Sequence, residues 1–447
     1  MILKRKIYKK LLDWKNTRNG TCAILIKGAR RVGKSFIVRH FGENEYESMI
    51  FIDFSSPPKE IIDIFENYNT DFDMFFSNIS TFYRTKLYIR KSLFVFDEVQ
   101  QYPIARQLIK HLVADGRYDY IETGSLISLK RNIKDIVIPS EERSIEMHPL
   151  DFEEFLWALG DEVTVPFLKE SFENLRPLGQ GLHSKTVKDF RQYMLVGGMP
   201  QAVLEYVKEK NFNVVDEIKK DILELYRNDI TKFAYGYEDK VTAIFDSLPG
   251  QLSKKEKKFK LSSINKEARL RNYEDAFMWL KDAMIANPCF NSTDPNIGLG
   301  LSMDHSTHKL YMADTGLLVT HAFRDSDYFD NNLYRAILFD KLNINEGMLM
   351  ENIVAQALRT NGHRLYYYSR VDSKNRKNHM EIDFLINKKN KISPIEVKSS
   401  SYKAHSSLDK FRNKFKRNLG DAYILYQKDI MVKDGVIHLP LYMVMFL

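Results

Sequence analysis

The chain has 447 residues, 44% of them apolar and 28% charged, a length that calls for two to four cores and a balance that excludes disorder and fibrous repeats. A formal charge of +8 favours an anionic partner and says nothing about fold. Two distant cysteines, Cys22 and Cys289, lack zinc spacing, and no apolar run approaches the ~18 residues of a membrane span, so the expectation is a cytoplasmic protein without membrane segment or disulfide framework.

In chain order, AILIK (Ala23 to Lys27) reads as a strand that leads into Gly28-Ala29-Arg30-Arg31-Val32-Gly33-Lys34-Ser35, and the helical pattern FIVRHF opens at Phe36. Strand, glycine-rich loop and helix form a phosphate cradle. Backbone N–H groups wrap the phosphates of ATP, Lys34 reaches the β- and γ-phosphates, and Ser35 offers its hydroxyl to Mg²⁺. LFVFDE follows as a buried parallel strand with Asp97 and Glu98 at its carboxyl end, where Asp97 would order the metal and Glu98 the attacking water. The strand from Tyr118 to Glu122 ends in Thr123-Gly124-Ser125. If it lies between the other two strands, Ser125 sits where a γ-phosphate sensor would, the alternative being a simple turn. Arg143, before the short strand SIEMH, is either an arginine finger, within or between subunits, or a surface arginine.

From Asp151 the pattern turns helical. DFEEFLWALG opens on an N-cap aspartate, GGMP (Gly197 to Pro200) breaks the run as a linker, and Glu205 to Lys232 carries one long amphipathic repeat. The stretch SKKEKKFKLSSINKEARLRNYEDAFMWLKDAMI then reads as two helices, with the strand-like KLYMADTG downstream. That order suggests a winged helix-turn-helix, with Lys254, Lys255, Lys257 and Lys258 near phosphates, against the alternative of packing helices and a solvated loop.

MEIDFLI and ISPIEVK alternate as an antiparallel hairpin about Lys388 to Lys391. Pairing Asn387 with Ile392 sets Asp383 opposite Glu396, with Lys398 on the same face. Two acids could hold Mg²⁺ against a phosphodiester while the lysine steadies charge; the alternative is cross-strand ion pairing. Pro394 suggests an edge strand or a bulge that could shift this register. Glu351 adds a third acid, half-buried beside the stripe of the helix GMLMENIVAQALRTNGH.

The motifs GARRVGKS, LFVFDE, ETGS, PLDFEEF, GGMP, KLYMADTG and EIDF…IEVKSS, in this order, resemble prokaryotic AAA-type ATPases fused to the "domain of unknown function 4143". The resemblance implies an α/β fold class: an additional-strand P-loop ATPase core over 1–150, a helical lid and linker over 151–232, a winged-helix-like domain over 233–330 and a PD-(D/E)xK nuclease-like domain over 331–447. It maps the nuclease set onto Glu351, Asp383, Glu396 and Lys398. The expected function is ATP hydrolysis coupled to a nuclease-like domain directed at DNA. The alternative is an ATP-dependent switch whose C-terminal domain binds DNA or a protein partner without cutting.

Overall fold

The computed structural model describes residues 2–124, 141–254, 258–264, 266, 268–295, 298–324, 346–370, 380–388, 390–399 and 406–447. They form two compact units, one of Ile2–His148 with Asp282–Met284, the other of Pro149–Lys281 and Ile285–Leu447.

The N-terminal unit opens with α1 (Lys6–Arg18), β1 (Ala23–Lys27), α2 (Lys34–Glu45) and β2 (Ser48–Asp53). It continues through α3 (Lys59–Asn67), α4 (Phe72–Tyr83), β3 (Ser92–Asp97), α5 (Pro103–Asp115), β4 (Asp119–Gly124) and β5 (Glu142–Glu146). The strands make one parallel sheet in the order β2-β3-β4-β1-β5. As the sequence suggested, β4 is the additional strand between the P-loop strand and the acid strand. Both β3 and β4 are buried at every position, which explains why they read as continuous apolar runs. One side of the sheet carries an aromatic core in which Phe54, Phe65, Phe75 and Phe96 meet edge-on at 5.0 to 5.7 Å between ring centres, the arrangement that ring quadrupoles favour.

The second unit begins with helices α6 (Phe152–Ala158), α7 (Thr164–Glu173), α8 (Gln180–Val196), α9 (Pro200–Glu209), α10 (Phe212–Phe233), α11 (Glu238–Leu252) and α12 (Glu274–Asp282). Asp151 caps α6 in a reciprocal box with Glu154. The repeat from Glu205 to Lys232 is two helices, because Lys210 adopts φ 53° between them. The first helix expected after the lysine run is instead a pair of short 3₁₀ turns, Leu261–Ser263 and Leu270–Asn272.

Next come β6 (Ala286–Ser292), β7 (Met303–Met312), α13 (Thr315–Ala322), α14 (Glu346–Thr360), β8 (Tyr366–Arg370), β9 (Met380–Lys388) and β10 (Lys391–Val397). The chain ends through α15 (Ser406–Lys414), β11 (Ala422–Tyr426), β12 (Met431–Lys433) and β13 (Val436–Pro440). These strands form a mixed sheet in the order β12-β13-β11-β10-β9-β8-β6-β7. The expected wing is therefore corrected: the β6–β7 hairpin joins the C-terminal sheet, with β6 parallel to β8 through Phe290↔Tyr366. A domain boundary near residue 330 would cut this sheet.

GGMP is a buried knot in the second unit rather than a linker. Gly198 N–H donates to Asp314 Oδ2 at 2.6 Å, Leu150 N–H donates to Gly198 O at 2.7 Å, and Asp314 Oδ1 caps α13 by accepting from Leu317 N–H at 2.8 Å. A Cβ on Gly198 would lie 2.1 Å from Leu150 O, so only glycine fits. Lys219, fully buried, donates to Leu195 O at 2.8 Å, and burial lowers its pKa to about 8. Three motifs dispersed in the sequence thus share one hydrogen-bonded junction.

Candidate functional site

The first site stands at the carboxyl end of the parallel sheet. β1 delivers the loop from Gly28 to Gly33, where Arg31 takes φ 69° and Gly33 φ 93° before α2 begins at Lys34. A Cβ on Gly28 would lie 2.5 Å from Met147 O, which accounts for the first glycine. Buried Arg5 braces the loop from outside the motif, donating to Val32 O at 3.1 Å and His148 O at 2.6 Å. Lys34 folds back over its own loop and donates to Gly28 O at 2.9 Å and Ala29 O at 3.1 Å. Arg30, Arg31 and Phe36 are exposed around it, while Ala29 and Val32 are buried.

Asp97 closes the site from β3. Its Oδ1 accepts from Ser35 Oγ at 2.9 Å and from Thr123 Oγ1. Burial raises the Asp97 pKa, partly offset by those two hydroxyls. A hydroxyl and a carboxylate oxygen side by side are hard donors that suit Mg²⁺, so Ser35 and Asp97 fit the expected ion. Glu98, the next residue, takes φ 52°, places its N–H 3.3 Å from Thr123 Oγ1 and accepts from Gln100 Nε2. A non-glycine residue at positive φ is a costly conformation concentrated at functional positions. Asp53, opposite Asp97 in the β2–β3 ladder, is a further acid at this sheet end that sequence reasoning missed.

Two expectations fare differently. Ser125 lies outside the described residues, and Thr123 is the hydroxyl seen to reach Asp97. Arg143 is exposed and pairs with Ile24 near the start of β1, three positions before the Lys27↔Glu146 pair. At strand rise it stands about 10 Å back from the phosphate end of the sheet, so the structure does not bring it to the loop of its own chain.

The second site lies on the C-terminal sheet. The ladder runs from Lys391↔Lys388 to Ile395↔Phe384, which is the expected register, and Asp383 Oδ2 accepts from Val397 N–H at 2.9 Å. Pro394 is not at an edge: β10 lies between β9 and β11, and the parallel ladder to β11 begins only at Ile395. Glu351 comes in from α14, where Tyr311 Oη donates to it at 3.0 Å. The structure thus brings Glu351, Asp383, Glu396 and Lys398 to one place.

One further partner, Lys309, was not expected. Lys309 of β7 has no exposed side-chain surface, and its ammonium lies 3.2 Å from Glu381, 3.8 Å from Asp383 and 3.9 Å from Glu351. Burial would lower its pKa, but these carboxylates outweigh burial and hold it above the ordinary lysine range. Lys398 binds buried Glu396 at 2.6 Å. Among the described residues no cluster of acids, histidines or cysteines offers three ligands to a metal. Lys309 and Lys398 thus stand against the carboxylates that were expected to hold a divalent ion. Sequence reasoning missed Lys309 because it comes from a strand assigned to a different domain.

Family comparison places an AAA domain over residues 21–156, a domain of unknown function (DUF8612) over 187–328 and a domain of unknown function (DUF4143) over 346–443. No curated protein matches the chain. Among solved structures it is similar to a Walker-type ATPase of Pyrococcus abyssi, at 16% identity and a TM-score of 0.41 over 72% of this chain and 96% of that one. It is also similar to the ORC1 protein of Aeropyrum pernix in complex with DNA, at 10% identity and a TM-score of 0.30 over 73% of this chain and 93% of that one. By its family matches, the chain carries an AAA domain of P-loop ATPase fold at its N-terminus and a DUF4143 domain at its C-terminus.

Proposed function

We propose that the N-terminal unit binds and hydrolyses ATP. The observation that carries this reading is the contact of Ser35 Oγ with Asp97 Oδ1 at 2.9 Å, which joins the phosphate loop to the acid strand. When ATP enters, the Lys34 ammonium exchanges the carbonyls of Gly28 and Ala29 for phosphate oxygens, and the loop N–H groups from Gly28 to Ser35 supply the remaining donors. Mg²⁺, held by Ser35 and Asp97, would neutralise charge on the β- and γ-phosphates. Glu98 leaves Gln100 to orient the attacking water and accept its proton. Thr123 keeps Asp97 aimed. Turnover assays test this: Lys34→Ala abolishes ATP binding, whereas Glu98→Gln keeps binding and lowers turnover by about 10²-fold or more. Unchanged turnover in the Glu98 variant would remove that residue from its role.

For the C-terminal domain, the closure of the acid cluster by Lys309 and Lys398 favours a binding platform over a metal-dependent nuclease. We read it as a partner-binding arm of an ATP-dependent switch, with DNA as the first partner because the chain carries a net charge of +8. Incubation of linear, nicked and single-stranded DNA with Mn²⁺ gives no cleavage on this reading. Cleavage by the wild type that disappears in Asp383→Ala would reverse it.

A further inference from the structure

A cleft of about 320 Å³, at the small end of the range for ligand pockets, opens beside β6 and β7 in the second unit. Its walls include Phe277 and Met278 of α12 and Pro288 and Phe290 of β6, and His308 of β7 also lines it. Neighbouring residues of a strand point to opposite faces, so His308 and Lys309 put this cleft on the other side of the sheet from the acid cluster. The two sites share a strand and no surface.

His308 is only 6% exposed, and neither ring nitrogen has a hydrogen-bond partner among the described residues. Its ring meets Phe277 edge-on at 4.3 Å and lies 5.9 Å from Phe290. Burial lowers its pKa to about 4, so at neutral pH it presents one donor and one acceptor. A buried group with both capacities unmet, among aromatic walls, is suited to the polar edge of a flat ring.

The rim is cationic. The Arg364 guanidinium lies over Phe290 at 5.5 Å and over Tyr366 at 5.6 Å, and Lys281 also lines the opening. The described part of the lysine-rich stretch runs here: Phe259 N–H donates to His308 O at 3.0 Å, and its ring meets Phe277 at 5.0 Å. Lys258 is thereby carried to the same edge, facing Asp304. Lys258 and Asp304 offset each other beside the cleft, and of its described charged lining residues Lys281 and Arg364 are cations and Glu274 is an acid.

We propose that this cleft binds a nucleotide unit, with the base packed against Phe277 and Phe290, its polar edge bonded to His308, and its phosphate at Arg364. Bases stack on aromatic side chains whatever their sequence, and guanidinium groups pair with phosphate through two donors. A free nucleoside monophosphate and one unstacked nucleotide of a single strand offer the same chemistry. The proposal stands apart from ATP hydrolysis, because no residue of the phosphate loop takes part.

The test uses the full chain carrying Lys34→Ala, which silences the phosphate loop, and calorimetric titration with AMP, CMP and a five-nucleotide single-stranded DNA. At least one probe binds, and His308→Leu and Arg364→Ala each weaken that binding by about tenfold. Binding of the monophosphates identifies a free nucleotide as the source, whereas binding of the oligonucleotide alone identifies a strand; either supports the cleft. Absence of binding by every probe overturns the proposal, as does an affinity unmoved by Arg364→Ala. Arg364 is exposed, so its variant decides the matter even if His308→Leu fails to fold.

Discussion

The two acid-bearing sites use the same residue types in opposite ways. At the phosphate loop the lysine turns to backbone carbonyls of its own loop, Gly28 O and Ala29 O, while Asp97 is held by the neutral hydroxyls of Ser35 and Thr123. At the C-terminal cluster the lysines turn to the acids: Lys309 lies among Glu351, Glu381 and Asp383, and Lys398 lies on Glu396. At the first, the acid is held by hydroxyl oxygens that suit Mg²⁺, as the proposed ATPase requires. At the second, cation and carboxylate are already paired. Acids and a lysine at the expected spacing can thus also draw in a cation from another part of the fold, as Lys309 shows.

The sharpest way to break this comparison is to remove that cation. Lys309→Met leaves the half-buried carboxylates of Glu351, Glu381 and Asp383 facing one another without their cation, a loss of about 1–3 kcal/mol. Denaturant unfolding checks the loss, and an unchanged midpoint would show that Lys309 does not hold the cluster. Because its pKa is raised above the ordinary lysine value of 10.5, the stability Lys309 contributes is fully present below that pH. It is lost as pH rises through the folded value. The alkaline limb of the wild-type stability profile is then flattened in Lys309→Met.

A smaller effect is expected at the first site. Burial raises the Asp97 pKa, so Asp97 takes up its proton at a higher pH than an ordinary aspartate as the solution is acidified. Thr123→Val removes a hydroxyl that favours the ionised form, so the Mg²⁺ concentration needed for half-maximal turnover rises. A Mg²⁺ requirement unchanged by that substitution would take Thr123 out of its role in holding Asp97. The smallest effect belongs to Arg143, which lies away from the loop of its own chain: Arg143→Ala leaves turnover in dilute protein within about twofold. A large loss would point to action between subunits.

What could be read from the sequence followed the distance over which each feature is assembled. The phosphate loop is one uninterrupted segment, so its glycines, Lys34 and Ser35 were legible, as were Asp97 and Glu98 at the end of a wholly buried strand. The β9–β10 register was legible because a short turn and strict alternation fix it, and it survived Pro394. Lys309 was not, since nothing near KLYMADTG signals that β6 will pair in parallel with β8 and carry β7 onto the sheet edge. Asn352 was equally hidden. On a helix read by its apolar stripe it is fully buried and bonds both Met312 N–H, at 2.8 Å, and Met312 O, at 3.1 Å. GGMP was legible as a helix stop, but its partner Asp314 lies more than a hundred residues away.

On the proposed reading Lys309, and not a metal ion, balances the C-terminal acids. Crystals of the full chain soaked in Mn²⁺ with a non-hydrolysable ATP analogue, examined by anomalous scattering, test it most directly. A manganese peak is expected beside Ser35 and Asp97 and none between Asp383 and Glu396, with the Lys309 ammonium still among its three carboxylates. A peak between Asp383 and Glu396 with Lys309 displaced would contradict that reading.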